Sequence, residues 1–207
     1  MISSFLSAAR TAAVLLHSAE LAESWTKPSA LAEFRISGLA GHLAGQVSNM
    51  HRFLDAAVPP DLVPMDAVRY YTQHGDVDVD SEVATGIRVR SEEHAGPSAA
   101  DLAARYDAAL ESVAARLDGL PPELPVLMFD RWVLPLDQCL LTRILELVVH
   151  ADDLAVSLGV PTPSFSDDVV DAAVTTLARI SVVKRGPLPA LRALSRRERA
   201  DGMAAAF

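Results

Sequence analysis

The sequence has 207 residues, 50% of them hydrophobic and 22% charged, which predicts one globular domain and excludes a wholly disordered chain. The 18 Lys and Arg against 27 Asp and Glu give a net charge of −9, which argues against nucleic acid and anionic membranes as partners. Cys139 is the only cysteine, and no apolar run reaches the roughly 18 residues that a membrane span needs. We therefore expect a soluble protein of the reducing cytoplasm.

Abundant Ala and Leu, with few alternating β-branched residues, predict an all-α fold. Apolar residues at three- and four-residue steps predict a first helix over residues 3–23. A second long helix carries an apolar stripe from Ile36 to Leu54, with Ser29 and Ser37 as potential N-caps. Repeated Pro and Gly allow only short helices over residues 58–97, which are predicted to form a long crossover connection, either a lid or an interface.

A third long helix is predicted from the N-cap Ser98 to Leu117. The fourth runs from Leu136 to Leu158 and is apolar on most of its circumference, as a central helix should be. Two further helices follow, one capped by Ser164 or Ser166 and a short basic one over 187–199. The sequence therefore predicts a four-helix bundle with a short helical C-terminal addition. Residues 1–160 would form the bundle, and residues 161–207 would pack on the same domain.

The segment from Glu146 to His150 places a carboxylate and an imidazole one turn apart on this apolar helix. A helix pair that satisfies itself in the core explains the spacing. A metal site explains it too, because both groups are ligands that suit zinc and related divalent ions. His42, flanked by small residues in GLAGHLAG on the second helix, is either a core histidine or a third ligand. Three ligands with an open fourth position are typical of catalytic zinc.

Two charged residues share the face of this pair and are our candidates for supporting catalysis. Arg143 precedes Glu146 by one turn, and Asp153 follows His150 by three residues. Each is placed to orient a carboxylate or a ring N–H, although helix-surface pairing gives the same spacing. An arginine in so apolar a segment is expected to be paired.

Other polar residues receive weaker interpretations. Gln46 and Asn49 follow His42 on its own face, and polar filling explains them as well as a functional role does. Cys139 is about 10 Å along the helix from Glu146, too far to share a metal, and is expected to be a buried, inert thiol. The remaining histidines have no paired spacing and are interpreted as surface or boundary residues: His17, His51, His74 and His94.

Two further signals are set aside. The run from Asp76 to Asp80 starts like a calcium loop but lacks the turn glycine and the bidentate glutamate that such a loop needs. The arginines of the C-terminal segment are interpreted as a solvated helix face and not as a phosphate patch: Arg192, Arg196, Arg197 and Arg199.

Trp25, Pro28-Ser29, GLAGHLAG and above all TRILELVVHADDLAVSLG resemble the mycothiol-dependent maleylpyruvate isomerase family, within the DinB-like (YfiT-like) metalloenzyme superfamily. The resemblance spans residues 1–160. It implies a four-helix bundle with a zinc ion, or a similar divalent ion, on His42, Glu146 and His150. The Arg and Asp that accompany these ligands in the family match Arg143 and Asp153.

The resemblance also implies a function. A metal-activated low-molecular-weight thiol, such as mycothiol, would attack a small electrophilic substrate, as in the family's transferases and isomerases. The isomerase carries a further sterol-carrier-like domain, whereas about 47 residues follow Val160 here, so maleylpyruvate isomerisation itself is not expected. The alternative is a non-catalytic metal- or ligand-binding bundle that acts as a sensor or as a dimerisation module, and a homodimer is compatible with either reading.

Overall fold

The computed structural model of the protein describes residues 1–73, 79–195 and 198. Of the positions considered above, His74, Asp76, Asp78, Arg196, Arg197 and Arg199 lie outside the described residues. The helices are α1 (Ile2–Leu16), α2 (Ala19–Ser24), α3 (Ile36–Asp55), α4 (Ala67–Thr72), α5 (Glu82–Ala95), α6 (Ala99–Leu117), α7 (Leu136–Leu158), α8 (Asp167–Arg185) and α9 (Pro187–Ser195). The strands are β1 (Pro125–Met128) and β2 (Trp132–Pro135).

Four long helices enclose the core. Helix α1 packs on α7, α7 on α3, α3 on α6, and α6 back on α1, so the four form a closed ring. Large side chains from all four meet at its centre, among them Phe5, Leu39, Tyr106 and Leu147. Each buried side chain of this size contributes about 1.5–3 kcal/mol to folding. The predicted all-α four-helix bundle is confirmed.

The first predicted helix is in fact two helices, so the prediction of one continuous helix over residues 3–23 is wrong. Helix α1 ends at Leu16, and α2 begins after Ser18. Ser18 has an extended backbone (φ −72°, ψ 146°), and its hydroxyl accepts a hydrogen bond from the backbone N–H of Leu21. A serine that caps a new helix interrupts the old one, and the apolar periodicity runs across the break without revealing it.

The start of α3 also differs from expectation. Ile36 is its first residue, and the N-cap position is Arg35, without a side-chain cap. Ser37 is therefore not an N-cap; its hydroxyl donates instead to Glu92 of α5, at 2.8 Å. A hydroxyl that faces a neighbouring helix can find its partner there and not in the backbone of its own helix.

The crossover connection contains α4 and a longer helix, α5, of 14 residues. The expectation of short helices only is therefore wrong. Ser81 caps α5, and glycines of α3 let the two helices approach closely. A Cβ added to Gly41 would lie 2.2 Å from the Ser91 carbonyl oxygen. Close packing on α3 thus stabilises a helix that contains Gly86 and has a weak apolar pattern of its own.

The helices α6 and α7 have the predicted bounds. The Ser98 hydroxyl caps α6 by accepting from the Asp101 N–H, and α7 ends at Gly159, which has a left-handed backbone. Between them lies an antiparallel hairpin of β1 and β2, which the sequence analysis did not predict. Three residues join the strands; the first two, Phe129 (φ 52°) and Asp130 (φ 57°), have positive φ, and the Arg131 N–H donates to the Met128 carbonyl oxygen across them.

The C-terminal helices lie outside the ring. Helix α8 packs against α7 and α4, and α9 packs against α8. Ser166 is the N-cap residue of α8, as one of the two predicted options, although its side chain makes no cap hydrogen bond. No helix in the described part of the chain combines the length and apolar character needed to cross a bilayer.

Candidate metal centre and cavity

Three candidate ligands meet between α3 and α7. Glu146 and His150 project from successive turns of α7, and His42 projects from the middle of α3. The Glu146 Oε2 lies 3.2 Å from His42 Nε2 and 3.3 Å from His150 Nε2. One ligand atom from each of the three residues lies within 4.8 Å of the others. The structure therefore brings together residues that are distant in the sequence: His42 and Glu146 are 104 positions apart.

This donor set fits a divalent cation. Two ligands that each lie about 2.05 Å from one zinc ion at a tetrahedral angle are about 3.3 Å apart, which is close to both observed separations. The His150 Nδ1 lies 2.9 Å from Asp153 Oδ2, and the His42 Nδ1 lies 3.3 Å from the Ser91 hydroxyl. Each ring thus engages a partner through Nδ1, which leaves Nε2 as the ligand atom, an arrangement common in metal sites.

The second oxygen of Glu146 has its own partner. The Tyr71 hydroxyl, from α4, lies 2.8 Å from Glu146 Oε1 and 3.1 Å from the Thr142 carbonyl oxygen. A hydroxyl that donates to one carboxylate oxygen fixes the rotation of the whole group and directs the other oxygen towards the two histidines. Tyr71 was missed in the sequence because α4 is short and its aromatic pair, Tyr70-Tyr71, has no motif around it.

The electrostatics of the cluster favour a negative carboxylate between two imidazoles. Burial alone would raise the pKa of Glu146, but hydrogen bonds from His150 and His42 outweigh it and hold the pKa well below its usual range. Burial lowers the pKa of His42. Burial also acts to lower the pKa of His150, but Asp153 and Glu146 raise it to about 9. The cluster therefore places a carboxylate and two imidazole rings at one point, and a cation that binds there displaces the proton from His150.

Arg143, one turn before Glu146 on α7, is 3% exposed. Its guanidinium donates to the Gln46 side-chain oxygen, and its Nε donates to the Thr142 hydroxyl at 3.2 Å. Gln46 in turn donates to the His42 carbonyl oxygen at 2.8 Å. Gln46 thus connects the buried arginine to the backbone of His42. This is a more specific role than filling space with a polar side chain.

A cavity of about 640 Å³ opens beside the cluster. Its walls come from α3, α4, α5, α7 and the hairpin, and they include His42 and Glu146. Aromatic and aliphatic side chains cover part of it, namely Tyr70, Phe129, Trp132, Val83 and Ile87. Four arginines also line it: Arg52, Arg90, Arg131 and Arg143. A chain with a net charge of −9 therefore has a cavity lined, within the described residues, by four arginines and a single carboxylate, Glu146.

Three more residues considered in the sequence can now be placed relative to this cavity. Asn49 lines it while donating to the Gly45 carbonyl oxygen at 2.7 Å. His94 also lines it, so its interpretation as a surface or boundary residue omitted its contact with the cavity. Cys139 is fully buried outside it, and burial raises the pKa of its thiol to about 12, which fits the expectation of an inert thiol.

A model of the mycothiol maleylpyruvate isomerase N-terminal domain matches residues 6–155. The chain belongs to this family. The matched range contains all three candidate ligands together with Arg143 and Asp153, and it ends within α7, before α8 and α9 begin. Neither the curated proteins nor the solved structures contain a match to the chain.

Proposed function

We propose that the protein is a metal-dependent enzyme that joins a low-molecular-weight thiol, such as mycothiol, to a small anionic electrophile. The observation that carries the proposal is the convergence of His42, Glu146 and His150 beside a 640 Å³ cavity, whose lining includes His42 and Glu146. A site that opens into such a volume has room for a substrate beside the ligands, whereas structural zinc sites are closed by a fourth residue.

In this proposal His42, Glu146 and His150 hold a zinc ion or a similar divalent ion. When bound, the ion supplies the positive charge that stabilises a thiolate over the neutral thiol. Asp153 and Ser91 fix the orientation of the two imidazole rings through their Nδ1 atoms, and Tyr71 fixes the Glu146 carboxylate. These contacts prepare the ligand geometry before the substrate arrives, so little rearrangement opposes binding.

The arginines of the cavity indicate the charge of the electrophile. Arg90 reaches the cavity from α5, Arg131 from the hairpin and Arg143 from α7. Guanidinium groups pair well with carboxylates, and a cationic cavity in an acidic protein concentrates anions locally. The family's name refers to a keto diacid, which has this chemistry. We therefore expect a carboxylate-bearing electrophile, and the identity of the acid is a question for the assay.

Finer points of the proposal rest on the sequence. Residues 1–160 are proposed to be the metal-binding bundle and residues 161–207 an extension of the same domain. We propose that the protein acts in the reducing cytoplasm, where mycothiol would be available as a free thiol.

Thiol consumption tests the proposal. Zinc-loaded protein is incubated with mycothiol or N-acetylcysteine and with pairs of α,β-unsaturated acids and their methyl esters. We expect metal-dependent turnover of at least one acid and much slower turnover of its ester. Arg90→Gln should lower kcat/KM for that acid about tenfold or more, the effect of losing one hydrogen bond to a charged group, and leave the ester unaffected.

The control is Arg10→Gln, which changes an exposed arginine of α1 outside the cavity. It should behave as the wild type does. Saturable binding of thiol or acid without turnover of any pair would instead favour the non-catalytic binding module. Equal turnover of acids and esters would leave thiol chemistry in place and overturn the assignment of an anionic substrate.

A further inference from the structure

His94 is a second imidazole group of the cavity, apart from the three candidate ligands. It lies on α5, one turn after Ser91, whose hydroxyl contacts the His42 ring. It packs beside Gly45, one turn after His42 on α3: a Cβ added to Gly45 would be in ordinary contact with His94 Cδ2, at 3.9 Å. His94 therefore lines the same cavity as His42 and Glu146 but is not one of the three candidate ligands.

One ring nitrogen of His94 is engaged by a hydrogen bond and the other is not. The His94 Nε2 lies 2.8 Å from the Ser48 hydroxyl oxygen. We assign the ring proton to Nε2, because the Ser48 hydroxyl also lies 3.4 Å from the Ala44 carbonyl oxygen and can donate there while it accepts from His94. Within residues 1–73 and 79–195, Nδ1 of His94 has no hydrogen-bond partner. The ring is thus held by one nitrogen and has a lone pair on the other.

The surroundings of His94 keep it neutral near pH 7. Burial lowers its pKa first, and the positive charge of Arg105 and the His42 ring lower it further. Arg105, on α6, donates to the His94 carbonyl oxygen at 3.0 Å and is paired with Asp101. Arg90 of α5 also lines the cavity. A neutral imidazole among cations is a base that gains a proton most readily when negative charge enters the cavity.

We propose that His94 is the proton carrier of this site. The inference rests on the proposed thiol chemistry. The thiol S–H bond breaks, its proton moves to His94 Nδ1, and the sulfur keeps the electron pair. The thiolate then forms the S–C bond with the electrophile, and His94 returns the proton to the electrophile atom that has received the displaced electron pair. Atoms and charge balance without any further reactant.

The test counts protons when thiol binds. Cobalt is substituted into the protein, and N-acetylcysteine is added in the absence of an electrophile; a sulfur-to-cobalt charge-transfer band reports binding. Calorimetry at pH 7.5 in two buffers with different ionisation enthalpies then gives the number of protons released. The variants are His94→Gln, whose amide can still donate to Ser48, and His17→Gln, whose exposed ring lies outside the cavity.

We expect His94→Gln to release about one more proton per bound thiol than the wild type, because the proton held by the carrier must go to the buffer. His17→Gln should match the wild type. A charge-transfer band in every protein with equal proton counts would overturn the role of His94 and leave the proposed function standing. No band in the wild type would overturn both.

A second measurement needs no variant and therefore tests the proposal even if His94→Gln does not fold. In wild-type protein with ¹⁵N-labelled histidine, the His94 ring should change from the neutral to the imidazolium pattern when N-acetylcysteine binds. A ring that stays neutral in the thiol complex would contradict the proposal.

Discussion

Two helices that line the cavity, α7 and α5, differ in how they are stabilised. Helix α7 lies in the ring of the bundle, and 11 of its residues are buried, so its position is fixed by the core. Helix α5 has two buried residues, Ser91 and Ala95, and it is held mainly against the glycines of α3. The two helices therefore contribute different groups. The helix fixed by the core, α7, carries the candidate ligands Glu146 and His150, whereas the peripheral helix α5 contributes Arg90 and His94 to the lining of the cavity.

The largest expected effect concerns the attachment of α5. Gly41→Ala places a Cβ 2.2 Å from the Ser91 carbonyl oxygen, a backbone atom that cannot move alone. We expect the free energy of unfolding to fall by about 2 kcal/mol or more, as for other overpacked contacts. Urea denaturation followed by circular dichroism measures this.

The matched control is Gly86→Ala within α5. The nearest atom to its added Cβ is the flexible end of Arg90, at 3.1 Å. The methyl group should be tolerated there, and the higher helix propensity of Ala should keep the stability equal or raise it by up to about 1 kcal/mol. Equal stability of the two variants would contradict the close contact between α3 and α5.

The next effect sharpens the role of the contacts around the ligands. Tyr71→Phe removes the hydroxyl that holds Glu146 Oε1 and should weaken zinc binding about tenfold or more, as for other partners of metal ligands. Competition with a chromophoric chelator measures the affinity. Tyr106→Phe is the control, because its hydroxyl donates to the Ala9 carbonyl oxygen elsewhere in the core. If both variants bound zinc as the wild type does, Glu146 would not depend on Tyr71.

A smaller effect is expected at Asp153. Asp153→Asn retains an oxygen that can accept from the His150 Nδ1–H but removes the charge. Zinc affinity should therefore fall by less than for a complete loss of the contact, by about threefold to tenfold. Asp152→Asn is the neighbouring control, since Asp152 pairs with Thr162 instead. An affinity that rises in Asp153→Asn would contradict the supporting role.

The smallest effect is predicted at Cys139. Burial raises the pKa of its thiol to about 12, so native protein at pH 8 should react with a thiol reagent far more slowly than protein in urea. The sign of the pH effect follows: the unfolded thiol loses its proton near pH 8.5, earlier than the folded one, so stability should fall as the pH rises from there towards 12. Rapid labelling of native protein would show that the thiol is accessible.

The same contrast explains how much could be predicted from the sequence. The bounds of α7 and the spacing of Glu146 and His150 depend on local periodicity, which the sequence records directly. The wall of α5 and the hairpin depends on tertiary contacts, such as the close approach at Gly41 and the positive φ of Phe129. For that reason the three candidate ligands could be predicted from the sequence, whereas the contact between Tyr71 and Glu146 could not.

The arginines of the cavity show the same difference between what local sequence reveals and what tertiary packing creates. In the sequence, Arg143 is conspicuous because its neighbours are apolar, whereas Arg52, Arg90 and Arg131 resemble ordinary surface residues. Their common feature is that three separate elements bring them to one cavity. That feature belongs to the packing of the elements and has no signature in local spacing.

The central claim is that His42, Glu146 and His150 hold a divalent ion. Elemental mass spectrometry tests it on protein purified without an affinity tag or chelator, with His150→Ala and the control His17→Ala prepared in parallel. The account predicts about one divalent ion per chain in the wild type and the control, and less than about a tenth of that in His150→Ala. A wild type that remains empty after zinc is added, or a His150→Ala variant that keeps its full metal content, would contradict it.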